Sequence, residues 1–140
     1  MTERVLIDTG PMVALFSEAD EHHARCTEAL KTLRPPLFTC WPVVTEAAWL
    51  LRTQPRSLDH LFGGFHQGLF SLLPLDASDL PAIAAIMHRY EDAGLQLADA
   101  ALAHLAEREN IRTVFTTDWR DFSIIRLKRN RTLTLLPEVQ

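Results

Sequence analysis

The sequence predicts an α/β fold whose parallel sheet is covered by helices on both faces, and three observations carry that prediction. Five short apolar runs recur along 140 residues, separated by stretches of helical pattern, which is the signature of βαβ units. The first run, Val5-Leu6-Ile7, is continuously apolar, as expected for a strand buried on both faces. It stops abruptly at Asp8, and Gly10 and Pro11 then open a helix, so a carboxylate stands at the strand-to-helix crevice where open α/β sheets bind ligands.

In chain order, the first helix is expected from Met12 to about Ser17. Glu21 to Leu33 carries Ala24, Leu30 and Leu33 among polar residues until Pro35-Pro36 ends the pattern. Leu37 to Cys40 reads as the second strand, and Pro42 marks a helix over Val43 to Leu51. Ser57 is expected to cap a weaker helical stretch to about Gln67, with Gly63-Gly64 lowering its propensity. Phe70 to Leu75 is the third strand. Asp76 or Ser78 caps the next helix, which runs through Ile83, Ile86, Met87 and Tyr90 to a stop at Gly94. Leu97 to Glu109, rich in Ala, Leu, Glu and Arg, is a strong helix. Thr113 to Thr116 is the fourth strand and Leu133 to Leu136 the fifth.

Composition bounds the function. With 47% hydrophobic and 23% charged residues, one domain over residues 1–140 is expected. The formal charge of −4 argues against coating nucleic acid through bulk charge and leaves a local basic patch open. Cys26 and Cys40 lie far apart without C-x-x-C spacing and read as reduced core residues of a cytoplasmic protein. No apolar run approaches the ~20 residues that a membrane span needs.

Three more carboxylates stand out beside Asp8. Glu46 lies inside the Val43–Leu51 helix and shares a face with Val43, Trp49 and Leu50. Burying an unpaired carboxylate in such a stripe costs roughly several kcal/mol, so it needs a cation, a shifted pKa or a structural salt bridge. Asp99 sits in the first turn of its helix, at the edge of the stripe of Ala98, Leu102 and Leu105; alone, it reads as a charge favoured by the helix dipole. Asp118 follows the Val114-Phe115 strand as Asp8 follows its own. If those strands are neighbours, both acids open onto one sheet edge and the helical acids close over them. Carboxylates gathered in a crevice raise one another's pKa unless a cation compensates, and hard oxygen donors without His or Cys select Mg²⁺ or Mn²⁺ over zinc.

These segments carry a resemblance. Val5-Leu6-Ile7-Asp8-Thr9-Gly10-Pro11, Trp41-Pro42-Val43-Val44-Thr45-Glu46, Leu97-Ala98-Asp99-Ala100-Ala101-Leu102 and Thr116-Thr117-Asp118 with Asp121-Phe122 are similar to PIN-domain proteins. In particular they resemble the VapC-like toxin ribonucleases of bacterial toxin-antitoxin pairs. Each segment is weak alone, but four in this order and spacing are specific. The resemblance implies a three-layer α/β/α sandwich with a mostly parallel five-stranded sheet. It further implies a Mg²⁺- or Mn²⁺-dependent endoribonuclease acting as a toxin on RNA, with a cognate antitoxin and a homodimeric state. By position, the catalytic and metal-binding quartet is Asp8, Glu46, Asp99 and Asp118, supported by Thr9 and Thr116, while Asp121 either supports the rim of the site or caps a turn. Gln96 stands where many similar sequences have Asp, and Trp119 where a basic residue is frequent.

Arg120, Arg126, Lys128 and Arg129 belong to a basic cluster late in the chain and are candidate RNA contacts, against the plainer reading of a solvated loop. Trp119 is either a base-stacking platform or a hydrophobic plug. Val13, Leu15 and Phe16 serve either a partner face or the core. The six histidines show no H-E-x-x-H spacing, G-x-S-x-G is absent, and Gly10 removes the D-x-D of strand-end phosphotransfer enzymes. A non-catalytic RNA-binding or scaffold domain is the remaining alternative, and retention of all four acids favours the enzyme.

Overall fold

The structure is a computed structural model that describes residues 3–138. Its strands are β1 (Val5–Ile7), β2 (Leu37–Thr39), β3 (Phe70–Leu72), β4 (Thr113–Phe115), β5 (Arg126–Leu127), β6 (Arg131–Thr132) and β7 (Thr134–Leu136). The helices are α1 (Thr9–Phe16), α2 (His23–Lys31), α3 (Trp41–Leu50), α4 (Pro55–His66), α5 (Leu80–Arg89), α6 (Leu97–Glu109) and α7 (Trp119–Ser123). Five strands form one parallel sheet in the order β3-β2-β1-β4-β7. Right-handed crossovers put α1 to α4 on one face and α5 with α6 on the other. Val5, Leu6 and Ile7 are all buried because β1 is central and covered on both sides.

Several boundaries differ from expectation for local reasons. The first helix starts at Thr9 rather than Met12, which puts Gly10 inside it. Gly10 is required by close approach: a Cβ there would lie 2.1 Å from Thr117 Oγ1. The α4 helix starts at Pro55, with Gln54 rather than Ser57 at its cap, because proline suits the first helical position. It survives its glycines because α4 packs on β3: a Cβ on Gly64 would come within 2.9 Å of the Phe70 ring. The third strand ends at Leu72 rather than Leu75. Asp76 caps a short turn over Ala77–Asp79, and α5 follows. Leu97–Glu109 forms as expected, buried almost all round from Ala98 to Ala106.

The chain between β4 and β7 is more ordered than a loop. It folds into α7 and the antiparallel ribbon β5–β6, whose turn carries Arg129 and Asn130 at φ 64° and 57°. Val13, Leu15 and Phe16 pack against the core, with Phe16 edge-on to Phe70 at 6.0 Å between centroids, so they do not form a free partner face. Cys26 and Cys40 are free and buried. A clasp joins the start of α5 to α6: Asp79 Oδ1 lies 2.8 Å from His104 Nε2 and accepts from Arg108 Nη1 at 3.0 Å. Among the described residues, no helix is long and apolar enough to cross a membrane.

Candidate active site

From β1 the chain steps outward to β2 and β3, then crosses back to β4 on the other side of β1. The direction of winding therefore reverses between β1 and β4, and the carboxyl ends of those strands flank the crevice where such sheets take ligands. Asp8 stands at one side of this crevice. Its N–H donates to Phe115 O at 2.9 Å, which extends the ladder one residue and fixes the backbone beside β4. The Thr116 hydroxyl donates to Asp8 Oδ2 at 2.9 Å and accepts the Asp118 N–H at 2.9 Å. Asp118 Oδ1 in turn accepts the Asp121 N–H at 3.3 Å, capping α7.

The two helical acids arrive on α3 and α6, which contact each other. Asp99 is buried in the first turn of α6, where its Oδ2 accepts the Gln96 N–H at 3.1 Å in a capping box. Glu46 is half-buried on α3, but not for the reason its sequence neighbours imply. Of the supposed apolar stripe only Val43 is buried, while Trp49 and Leu50 are 62% and 48% exposed; the true core face is Val43, Val44, Ala47 and Leu51. Glu46 borders that face and opens into the crevice.

Together Asp8, Glu46, Asp99, Asp118 and Asp121 line one cavity of about 310 Å³, whose lining contains no Lys, Arg or His. Burial, followed by the charge of Asp99 and more weakly that of Glu46, pushes the Asp8 carboxyl up to about 7, against the Thr9 N–H and the Thr116 hydroxyl. Burial also pushes Asp99 up to about 6, with Asp118, Asp121 and Glu46 adding to it and the Gln96 N–H opposing. Asp121 is raised by burial and by Asp118. The Thr9 hydroxyl, on the same lining, is the one buried side-chain polar atom without a hydrogen-bond partner among the described residues. Among those residues no three His, Cys, Asp or Glu groups stand at metal-holding spacing, and Asp8, Asp99 and Asp118 are each turned onto an internal donor.

The PIN domain family model matches residues 5–128, the span that holds all five of these acids. The chain belongs to the PIN-domain family. This PIN-domain protein is 30% identical over 139 residues to Ribonuclease VapC26 of Mycobacterium tuberculosis, covering 95% of its own length and 100% of that relative's. It shares its fold with M. tuberculosis VapC20, described as a Sarcin-Ricin loop cleaving toxin, at TM-score 0.74 and 15% identity over 86% of this chain and 96% of that one. A toxin-antitoxin complex from Klebsiella pneumoniae matches at TM-score 0.68 and 18% identity, over 86% of this chain and 92% of that one. Nucleases of the family are in general dependent on divalent metal ions.

The remaining residues singled out in the sequence of this PIN-domain chain divide. Trp119 is tied down as a plug: its Nε1 donates to Pro137 O at 2.9 Å, and the Arg25 guanidinium covers its ring at 4.8 Å. Arg120, Arg126, Lys128 and Arg129 are exposed but line no part of the acidic cavity. Leu50, Gly94 and Thr117 do line it and were not anticipated. The only hint at Thr117 was its place between two residues of the family pattern, and Gly94 read simply as a helix stop.

Proposed function

We propose that this protein is a Mg²⁺- or Mn²⁺-dependent endoribonuclease and the toxin of a toxin-antitoxin pair, working in the cytoplasm. One observation carries the reading: five carboxyl groups gather, with no lining cation, where β1 and β4 end. The full-length likeness to Ribonuclease VapC26 supports RNA as the substrate.

The residues fit a hard divalent ion. Every donor is oxygen, three of the acids are held above their ordinary pKa, and the Thr9 hydroxyl lacks a partner. Asp8 and Asp99 would hold the ion, with Glu46 and Asp118 ligating directly or through water once Asp99 and Asp118 turn from their internal N–H donors. A divalent cation there supplies Lewis acidity to a phosphodiester and lowers the pKa of water. Thr116 bridges Asp8 and Asp118 and keeps the two strand-end acids in register. Glu46 makes no hydrogen bond among the described residues and is available to orient the attacking water. In hydrolysis the water oxygen forms a new bond to phosphorus as the P–O3′ bond breaks, and the proton released from that water passes to the leaving O3′.

An antitoxin partner is supported by the exposed apolar side chains of Trp41, Trp49 and Leu50 on α3 and Phe62 on α4. Leu50 also lines the cavity, so a protein seated on that end of α3 would touch the site. The family reading also carries a homodimer, which light scattering tests. The deciding experiment is Mg²⁺-dependent cleavage of total cellular RNA with mapped ends, comparing wild type with Asp8→Asn. Equal cleavage by both rejects the site, and binding without cleavage in Mg²⁺ or Mn²⁺ by the wild type favours the non-catalytic RNA-binding or scaffold alternative.

A further inference from the structure

A second and larger cavity, about 560 Å³, lies between α5, α6 and the start of the β5–β6 ribbon. Its wall from α5 is one helical face, Ala82, Ala85, Ile86 and Arg89, whose small alanines leave a groove. Ile125 and Leu127 provide further apolar wall, and Tyr90 an aromatic one.

The charges at this groove do not cancel. Glu107 is occupied by the Lys128 N–H and by Arg131, and Arg108 by Asp79 and Glu109. Among the described residues, the side chains of Arg89 and Lys128 have neither a hydrogen bond nor an ion pair, and both are exposed. The uncompensated charge is therefore positive and sits over an apolar floor.

The groove and the acidic cavity draw on the same two stretches of chain. Tyr90 lines the groove while Gly94 and Gln96, a few residues on, line the acidic cavity. Asp118 and Asp121 line the acidic cavity while Ile125 and Arg126 line the groove. The Arg126 N–H donates to Tyr90 Oη at 3.0 Å and ties these two stretches together at the groove.

We propose that this groove is a second RNA subsite, which seats an unpaired nucleotide flanking the cleaved bond, its base against Tyr90 and the apolar wall and its phosphates on Arg89 and Lys128. The assignment rests on the nuclease reading. The acidic cavity is lined by no Lys or Arg with which to hold the flanking RNA backbone, and the groove supplies Arg89 and Lys128.

The test is the double variant Arg89→Gln/Lys128→Gln, which alters exposed residues outside the acidic cavity. Binding of a labelled unstructured RNA is followed by anisotropy on an Asp8→Asn background, so that the probe survives, across a salt series. The double variant binds more weakly, and its plot of log K against log salt is shallower by roughly 1.4, about 0.7 for each lost phosphate contact. With Asp8 intact, KM for long RNA rises at unchanged kcat, while hydrolysis of bis(p-nitrophenyl) phosphate proceeds at the wild-type rate. An unchanged salt slope and KM overturn the subsite, as does loss of affinity confined to a polyglutamate probe, which marks the groove as a protein surface. Absence of RNA cleavage by the wild type strikes the nuclease reading instead, and the salt slope still judges the groove.

Discussion

Asp8 and Asp79 are identical side chains in opposite surroundings. Asp8 lies among like charges at the sheet edge, where burial and then Asp99 push its carboxyl up to about 7. Asp79 closes the clasp between α5 and α6, where the Asp76 N–H and then His104 hold it down at about 2, with Arg108 adding. The clasp is electrostatics used to hold a fold together. The acidic cavity is electrostatics that works against the fold, and at the proposed site a cation and a phosphodiester would relieve it.

The largest effect that tests this contrast comes from Asp8→Asn. RNA cleavage is expected to fall by at least roughly 10³-fold, while the metal-free protein gains roughly 3 kcal/mol of stability at pH 8, because the amide carries no ionisation cost. Urea unfolding in EDTA checks the second half, and a variant less stable than wild type breaks the contrast. Next, Mn²⁺ at 100 times its dissociation constant is expected to add ~2.7 kcal/mol in a thermal melt. At one fixed Mn²⁺ concentration that gain grows from pH 5 to 8, since Asp8 and Asp99 must lose protons to bind, and an Asp8→Asn/Asp99→Asn variant shows none of it.

The pH dependence of metal-free stability sharpens the comparison further. Asp8 and Asp99 have folded pKa values of about 7 and 6, above those of the unfolded chain, so their contribution is full below about pH 4 and is lost as pH rises through 6 to 7. Asp79 runs the other way: its contribution is present above about pH 4 and is lost as pH falls toward 2. Melts in EDTA across this range should therefore show Asp79→Asn lowering stability above about pH 4 and flattening the acid limb, and Asp8→Asn/Asp99→Asn removing the fall between about pH 4 and 7. The smallest expected effect is that of Gly10→Ala, about 1 kcal/mol from overpacking against Thr117. Its cleavage rate should fall by more than that loss of stability explains, because Thr117 sits on the cavity lining.

What the sequence disclosed follows how local each cause is. Asp8 at the end of β1 and the bounds of α6 were legible because an apolar run with a sharp end, and a helix rich in strong formers, are properties of adjacent residues. Glu46 was singled out for a reason the structure corrects: periodicity shows which residues share a face, but not whether that face turns to the core, and here Trp49 and Leu50 turn outward. Trp119 could not be decided because its partners, Arg25 and Pro137, are distant in sequence or hidden behind a loop reading. The β5–β6 ribbon escaped notice because its strands of two residues are too short to show alternation. The groove it helps to form was invisible for the same reason.

The parallel pairing of β1 with β4 has a consequence for how the protein is made. Asp8 and its hydroxyl partner Thr116 are 108 positions apart, so the hydrogen bond between them waits until the ribosome has delivered most of the polypeptide. Until then the emerging chain holds Asp8 without the neighbouring strand that aligns it, and Asp118 has not been synthesised. Such distant contacts also form late in folding. If the proposed site is the active one, the nuclease is disarmed while its own ribosome is still making it.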